Sequence, residues 1–314
     1  MKILVTGACG YVGTMLTQQL IENDHEVIAA DTQWFGNKLE NHAKLKQIKI
    51  DIRDIDSIPF YGVDTIIHLA NIANDPSVDL NPTLSWEVNV LASQQLAEKA
   101  IENGVKHLIY ASSGSVYGIK EEEYVTEELS LVPISVYNKT KMVSERIFLS
   151  YKDDMIIHCI RPATICGFSP RMRLDLSVNM LTMQALKNKK ITVFGGKQTR
   201  PNIHIRDMVR VYEHFLSQED LVPGIYNAGF ENISIMDIAE LISKKIPSEI
   251  IVTESNDPRS YRLSSDKLLA TGFQQLHSVE DAIDEMIEKY STGKLDDSPE
   301  SYTVSWMKNL DLHL

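Results

Sequence analysis

The opening of the chain constrains it more than any other feature. Residues 2–6 (Lys-Ile-Leu-Val-Thr) form a short apolar run with β-branched members, read as a buried strand. Thr6-Gly7-Ala8-Cys9-Gly10-Tyr11-Val12-Gly13 follows at once, and residues 11–23 carry helical periodicity. In a strand–glycine turn–helix of this spacing, Gly7 permits the tight turn and Gly10 a close backbone approach to a diphosphate. Gly13 lets the helix pack against the strand. The free N–H groups and dipole at the helix N-terminus then favour an anion. This opening points to dinucleotide binding on a parallel α/β sheet.

The rest of the first half keeps that rhythm. Residues 25–30, 45–50, 65–69, 107–111 and 155–161 read as strands, with helices over 82–103 and 135–151. Strands alternating with helices imply a doubly wound parallel sheet, Rossmann-like, with right-handed crossovers. We expect this domain to span residues 1–166, with a helix contributed from the middle of the chain. After Gly167 arginines, prolines and short strands dominate, and helices at 176–187, 208–218 and 235–245 mark a smaller α/β C-terminal lobe, residues 167–292, for the substrate. Residues 293–314 read as a tail whose Val304, Trp306, Met307 and Leu310 dock elsewhere on the protein.

Composition excludes several classes. The net charge of −12 argues against general nucleic-acid binding, which needs a basic face, although local arginines can still hold a small anion. No apolar run reaches the roughly eighteen residues of a membrane span. Met1-Lys2-Ile3-Leu4-Val5 runs into the glycine turn without a signal-peptide cleavage site. Cys9, Cys159 and Cys166 are too few and too ill-spaced for a zinc site or a disulfide framework. We therefore expect a cytoplasmic protein with no metal, no membrane and no nucleic-acid partner.

Asp31 closes the second strand. A carboxylate there accepts hydrogen bonds from the adenosine ribose and repels a 2′-phosphate, which favours NAD over NADP. No arginine follows at Thr32 or Gln33. Asp51 and Ile52, at the end of the third strand, are placed to contact the adenine, although Asp51, Arg53, Asp54 and Asp56 also read as a solvated charged loop.

Tyr137 and Lys141 lie one turn apart on a predicted helix and share a face. A lysine beside the phenol favours the phenolate, which can take a proton from a substrate hydroxyl as hydride leaves the adjacent carbon. Ser112-Ser113-Gly114-Ser115 follows the strand 107–111 at the sheet edge where ligands bind. A serine there can hold the hydroxyl against the tyrosine; otherwise these serines form turns or caps.

Taken in order, Thr6–Gly13, Asp31, Asp51-Ile52, His68-Leu69-Ala70, Val88-Asn89, residues 112–118, Tyr137–Lys141, Arg161-Pro162 and residues 200–207 resemble the extended short-chain dehydrogenase/reductase family. The NAD-dependent nucleotide-sugar epimerases and dehydratases are the group most similar. The resemblance implies NAD as cofactor, with Tyr11 and Val12 along the diphosphate and Leu69, Ala70, Asn89, Ser112 and Ala163 lining the cofactor path, beside Thr32. It makes Ser113, Tyr137 and Lys141 the catalytic trio, with Lys141 also gripping the nicotinamide ribose. It turns Asn179 toward the substrate diphosphate, clamps that diphosphate with Arg200 and Arg259, and puts Thr164 near the sugar. Thr192 and Phe194 would flank the nucleobase, with core packing the competing reading. The helices 82–103 and 135–151 would pair across a two-fold axis in a homodimer with a four-helix interface.

The departures narrow the reaction. Gly114 and Ser115 stand where 4,6-dehydratases carry an acidic pair, so dehydration is disfavoured. Thr164 stands where many 4-epimerases have asparagine, and Ala73 near a lysine position of the galactose epimerases. Residues 169–175 (Ser-Pro-Arg-Met-Arg-Leu-Asp) resemble a branch that includes GDP-heptose 4-dehydrogenases, and make Arg171 and Arg173 either extra phosphate ligands or surface charges. The expected activity is an NAD-dependent 4-epimerase acting on a UDP- or GDP-sugar through a 4-keto intermediate. A net 4-dehydrogenase or reductase and a non-catalytic NAD sensor are the alternatives.

Overall fold

The computed structural model describes residues 1–218, 220–255 and 260–310. Its strands are β1 (Lys2–Thr6), β2 (Glu26–Asp31), β3 (Leu45–Lys49), β4 (Thr65–His68), β5 (His107–Ala111), β6 (Ile156–Pro162), β7 (Thr164–Cys166), β8 (Lys190–Phe194), β9 (Thr199–His204), β10 (Gly224–Ala228), β11 (Glu231–Ser234) and β12 (Glu249–Thr253). Seven of them form one parallel sheet in the order β10-β6-β5-β4-β1-β2-β3. Helices cover both faces, which is why the inner strands are near-continuous apolar runs: all four residues of β4 are buried, and four of five in β1.

The chain reverses direction of winding between β1 and β4, the switch point at which such sheets open a crevice. The C-terminal ends of β1, β2, β4, β5 and β6 all face that crevice. They deliver the glycine turn, Asp31, Leu69-Ala70, Ser112-Ser113 and Ala163 to one edge.

The seventh strand corrects the expected domain division. β10 lies within the region assigned to the substrate lobe, yet pairs in parallel with β6, Gly224 opposite His158 through Ala228 opposite Pro162. From the middle of the chain the helix Ile205–Ser217 also joins the first domain, packing against the helix Tyr11–Glu22. The remaining lobe has its own core, in which Val178, Leu181, Ile191, Val193, Ile238, Ile242 and Ile283 are buried together. It is built from β7-β9-β11, β8-β12 and the helices Ser177–Asn188, Ile235–Lys245 and Val279–Ser291.

The tail folds back on the first domain. Met307 is buried in the same core cluster as Ile28, Ala30 and Ile52, and the Trp306 Nε1 donates to the Trp34 carbonyl at 2.7 Å. Among the described residues no helix is long and apolar enough to cross a membrane, and no cluster of metal-ligating side chains occurs.

Candidate active site

The crevice is a cavity of about 510 Å³. Gly7 turns the chain at φ +75°, and a Cβ there would stand 2.6 Å from the Ala70 nitrogen. A Cβ on Gly13 would stand 2.1 Å from the Gly7 carbonyl oxygen. These two positions admit glycine because backbone meets backbone. Gly10 caps the first helix without a side-chain hydrogen bond, so the N–H groups of that turn remain available to an anion. Gly7, Gly10, Tyr11, Val12 and Gly13 all line the cavity, as do Asp31, Thr32, Asp51, Ile52, Leu69, Ala70, Ser112 and Ala163.

The Asp31 carboxylate accepts from the Cys9 N–H at 3.0 Å and the Gln33 N–H at 2.6 Å. It therefore sets the glycine loop as well as facing the pocket, and burial raises its pKa. Asp51 is held by Arg53 through two guanidinium contacts of 2.9 and 3.1 Å, so it is an ion-paired edge residue rather than a free loop charge. A cradle without Cβ atoms, open helix N–H groups and a carboxylate at the end of β2 fit a dinucleotide.

Tyr137 and Lys141 owe their placement to the helix Val136–Ser150, whose start is fixed by the Ser135 hydroxyl accepting from the Asn138 N–H at 3.1 Å. That cap puts Tyr137 in the first turn and Lys141 one turn on, beneath the end of β5. Ser113 lines the cavity beside Tyr137 and pulls the phenol pKa down. Behind it, the Ser113 and Ser115 hydroxyls are 2.8 Å apart, and Ser115 donates to the Asn138 Oδ1 at 2.7 Å. The sequence reading missed this relay, although Asn138 sits next to Tyr137.

Burial pushes the Tyr137 phenol up to about 12, and the groups that pull it back are Ser113 and the Arg173 guanidinium. Lys141 stands one turn further along the same helix. Its Nζ donates to the Ala111 carbonyl at 2.7 Å and lies 4.9 Å from the Tyr110 ring centroid, and burial lowers its pKa to about 7. The Arg173 guanidinium is thus a cation that favours the phenolate. Arg173 is itself paired with Asp175 at 2.9 Å.

Ser112 turns away from the cavity chemistry. Its hydroxyl donates to Glu145 at 2.9 Å, and Glu145 pairs with Arg161 at 2.5 Å in the interior. Arg161 donates to the Tyr117 hydroxyl at 2.7 Å, which donates to Asn227 at 2.8 Å on β10. Each buried polar group in this chain is satisfied by the next, which fixes the loop after β5.

Four further residues are placed differently from expectation. Asn89 does not reach the cavity: its amide bonds the Ile72 N–H at 2.8 Å and the Thr140 hydroxyl at 3.1 Å, inside the π-helical turn Glu87–Leu91. Asn179, expected at the substrate diphosphate, is fully buried. Its oxygen accepts from the Gly167 N–H and its nitrogen donates to the Tyr11 hydroxyl and the Arg173 carbonyl, leaving nothing for a ligand. Thr192 and Phe194 lie on β8 outside the cavity lining, Phe194 being 54% exposed. Thr164 and Arg200 do line the cavity, and Arg259 lies outside the described residues. Arg171 and Arg173 line the cavity rather than the surface, and the structure adds Asn74, Asp75, Asp175 and Tyr261 to the lining.

A dinucleotide cradle beside a serine-backed tyrosine and a buried lysine, on a sheet of this order, defines a Rossmann-type enzyme that works on a hydroxyl or carbonyl group. The sequence profile of the NAD dependent epimerase/dehydratase family matches residues 3–229, so the chain belongs to that family and is an NAD-dependent enzyme of the extended short-chain dehydrogenase/reductase type. It is 33% identical over 257 residues to the "Uncharacterized UDP-glucose epimerase YtcB" of Bacillus subtilis, covering 77% of this chain and 81% of that one. It is 29% identical over 300 residues to the UDP-glucose 4-epimerase of Halalkalibacterium halodurans, covering 85% and 88%. Among solved structures it superposes on the UDP-glucuronic acid 4-epimerase of Bacillus cereus in complex with UDP-glucuronic acid and NAD, with a TM-score of 0.80 and 27% identity, over 93% of this chain and 99% of the other.

Proposed function

We propose that the protein is a nucleotide-sugar 4-epimerase acting through a 4-keto sugar, with a UDP-sugar as substrate. The observation that carries this reading is that Tyr137 and Ser113, at the C-terminal edge of β5, line the same cavity as the dinucleotide cradle. The relatives' names supply the UDP-sugar. Gly114 and Ser115, where a dehydratase carries acids, put no carboxyl group in that window to drive elimination.

Tyr137 is the base for the sugar 4-hydroxyl, and Ser113 holds that hydroxyl against it. The relay through Ser115 and Asn138 keeps the Ser113 hydroxyl oriented. Bound NAD supplies the reversible acceptance of hydride from C4. Arg173 favours the phenolate, while Lys141 holds the cofactor ribose from the floor of the site. Arg200 and Arg259 grip the substrate diphosphate, as planar guanidinium groups suit a bidentate phosphate contact.

UDP- and GDP-sugars would be screened for inversion at C4 without accumulation of NADH. With the substrate found, Tyr137→Phe deletes one oxygen and should lower turnover by at least about 10²-fold, the low end for general acid–base catalysis, with NAD binding nearly intact. Native turnover in that variant would exclude Tyr137 as the base. Accumulating NADH would make the protein a net dehydrogenase.

A further inference from the structure

We propose that residues 298–310 are part of the cofactor site: a strap that walls its adenosine half and, through Thr303, holds Arg171 against the dinucleotide diphosphate. This rests on the reading of the cavity as the NAD site. The family profile ends at residue 229, so the strap lies beyond the matched region.

Three contacts fasten the strap. Trp306 donates to the Trp34 carbonyl at 2.7 Å, the Leu174 N–H donates to the Ser301 carbonyl at 2.9 Å, and Met307 is 3% exposed in the core of the first domain. Thr303 and Met307 line the same cavity as Asp31 and Ile52. The strap therefore closes the end where the carboxylate of β2 addresses the adenosine ribose.

Arg171 is the group it positions. The side chain is 5% exposed, and its guanidinium carbon lies 4.1 Å from the Phe35 ring centroid. One terminal nitrogen donates to the Thr303 hydroxyl at 3.4 Å and the other to the Met172 carbonyl at 3.3 Å, while Nε has no partner. Among the described residues no carboxylate pairs with it: Asp175 is taken by Arg173, and Asp31 by two backbone N–H groups. A buried guanidinium without a counter-ion is costly unless an anion completes it. Burial lowers its pKa to about 10, which leaves it charged at neutral pH.

The place of the anion follows from Ser169, whose hydroxyl donates to the Tyr11 carbonyl at 2.8 Å. This ties the arginine segment to the first turn of the helix Tyr11–Glu22, where the diphosphate docks. The diphosphate would then lie between the helix N-terminus and Arg171, with the strap outside both.

The test measures binding of NADH, ADP, adenosine, NADP and UDP to the full chain and to Arg171→Gln, with the NADH release rate followed by fluorescence. A lost charged hydrogen bond is worth about 10- to 100-fold in affinity. Arg171→Gln should therefore weaken NADH and ADP by about that factor and leave adenosine and UDP within about twofold. Arg171→Lys should fall between, since it keeps the charge and loses the planar fork. Trp306→Ala should speed NADH release by about 10-fold or more. Native-like NADH and ADP affinity in Arg171→Gln overturns the proposal, as does a loss confined to NADP or UDP, or an unchanged release rate in Trp306→Ala. Failure of the native protein to bind NADH or ADP at all would instead sink the cofactor reading itself. Should a variant fail to fold in a thermal scan, Arg171→Lys and Trp306→Phe carry the same comparisons.

Discussion

Lys141 offers a test that needs no substrate. The folded protein lowers its pKa from 10.5 to about 7 by burial. Between those values the unfolded chain binds a proton that the folded chain releases, so stability must rise with pH across that window and the lysine is destabilising below it. Integrating the linkage with these two values gives a cost of about 4 kcal/mol at pH 7, falling to about 2 kcal/mol at pH 9. Lys141→Met keeps the length of the side chain, removes the proton and leaves the Ala111 carbonyl without its 2.7 Å donor, a loss of about 1 kcal/mol. The groups common to both proteins cancel in the comparison. Urea titrations of cofactor-free protein at pH 7, 8 and 9 should show the native stability climbing about 2 kcal/mol relative to Lys141→Met, with the variant the more stable at pH 7. Parallel curves would mean that Lys141 is not desolvated as the structure places it. The same substitution should weaken NAD binding, since the expense of a buried ammonium has no structural return except in the site.

Two further outcomes are expected. Asp31→Asn keeps a hydrogen-bond acceptor for the glycine loop but removes the charge facing a 2′-phosphate, so the NAD-over-NADP preference should fall by about 10-fold, worth about 1.4 kcal/mol; calorimetry giving an unchanged ratio would refute that role. We also propose a homodimer through the helices around residues 82–102 and 136–150, where Trp86 and Leu91 are exposed; light scattering at micromolar concentration should give twice the mass of one chain, and a monomer mass would exclude it.

The parts of this fold legible in the sequence are those where one local requirement decides the residue. Gly7 and Gly13 are forced by backbone contact, and the inner strands by burial on both faces. The Tyr137–Lys141 face is forced by helical periodicity. β10 was not legible because Gly224–Ala228 is separated from its neighbour β6 by more than sixty residues, most of them in another lobe, and nothing local marks a strand that crosses back. The tail's apolar residues announced burial, but not the surface that receives them.

The site shows the same boundary at finer scale. Spacing fixes the face on which a side chain emerges, and Asn179, Asn89 and Lys141 all emerge close to the crevice. Which of several groups within hydrogen-bond reach then claims each one is a tertiary matter. The Gly167 N–H, Tyr11 hydroxyl and Arg173 carbonyl claim Asn179, and Ala111 claims Lys141. Arg171 and Arg173 illustrate it most sharply, since two arginines two residues apart read as equivalent phosphate candidates. The fold gives Arg173 a bidentate carboxylate at 2.9 Å and leaves Arg171 buried with a free Nε, so the pair divides into a neutralised arginine that acts on Tyr137 and a charged one whose counter-ion must come from a ligand. Asp175 sets that division, and a threonine 132 positions away holds the charged arginine, linking the tail of the chain to the chemistry at its first turn.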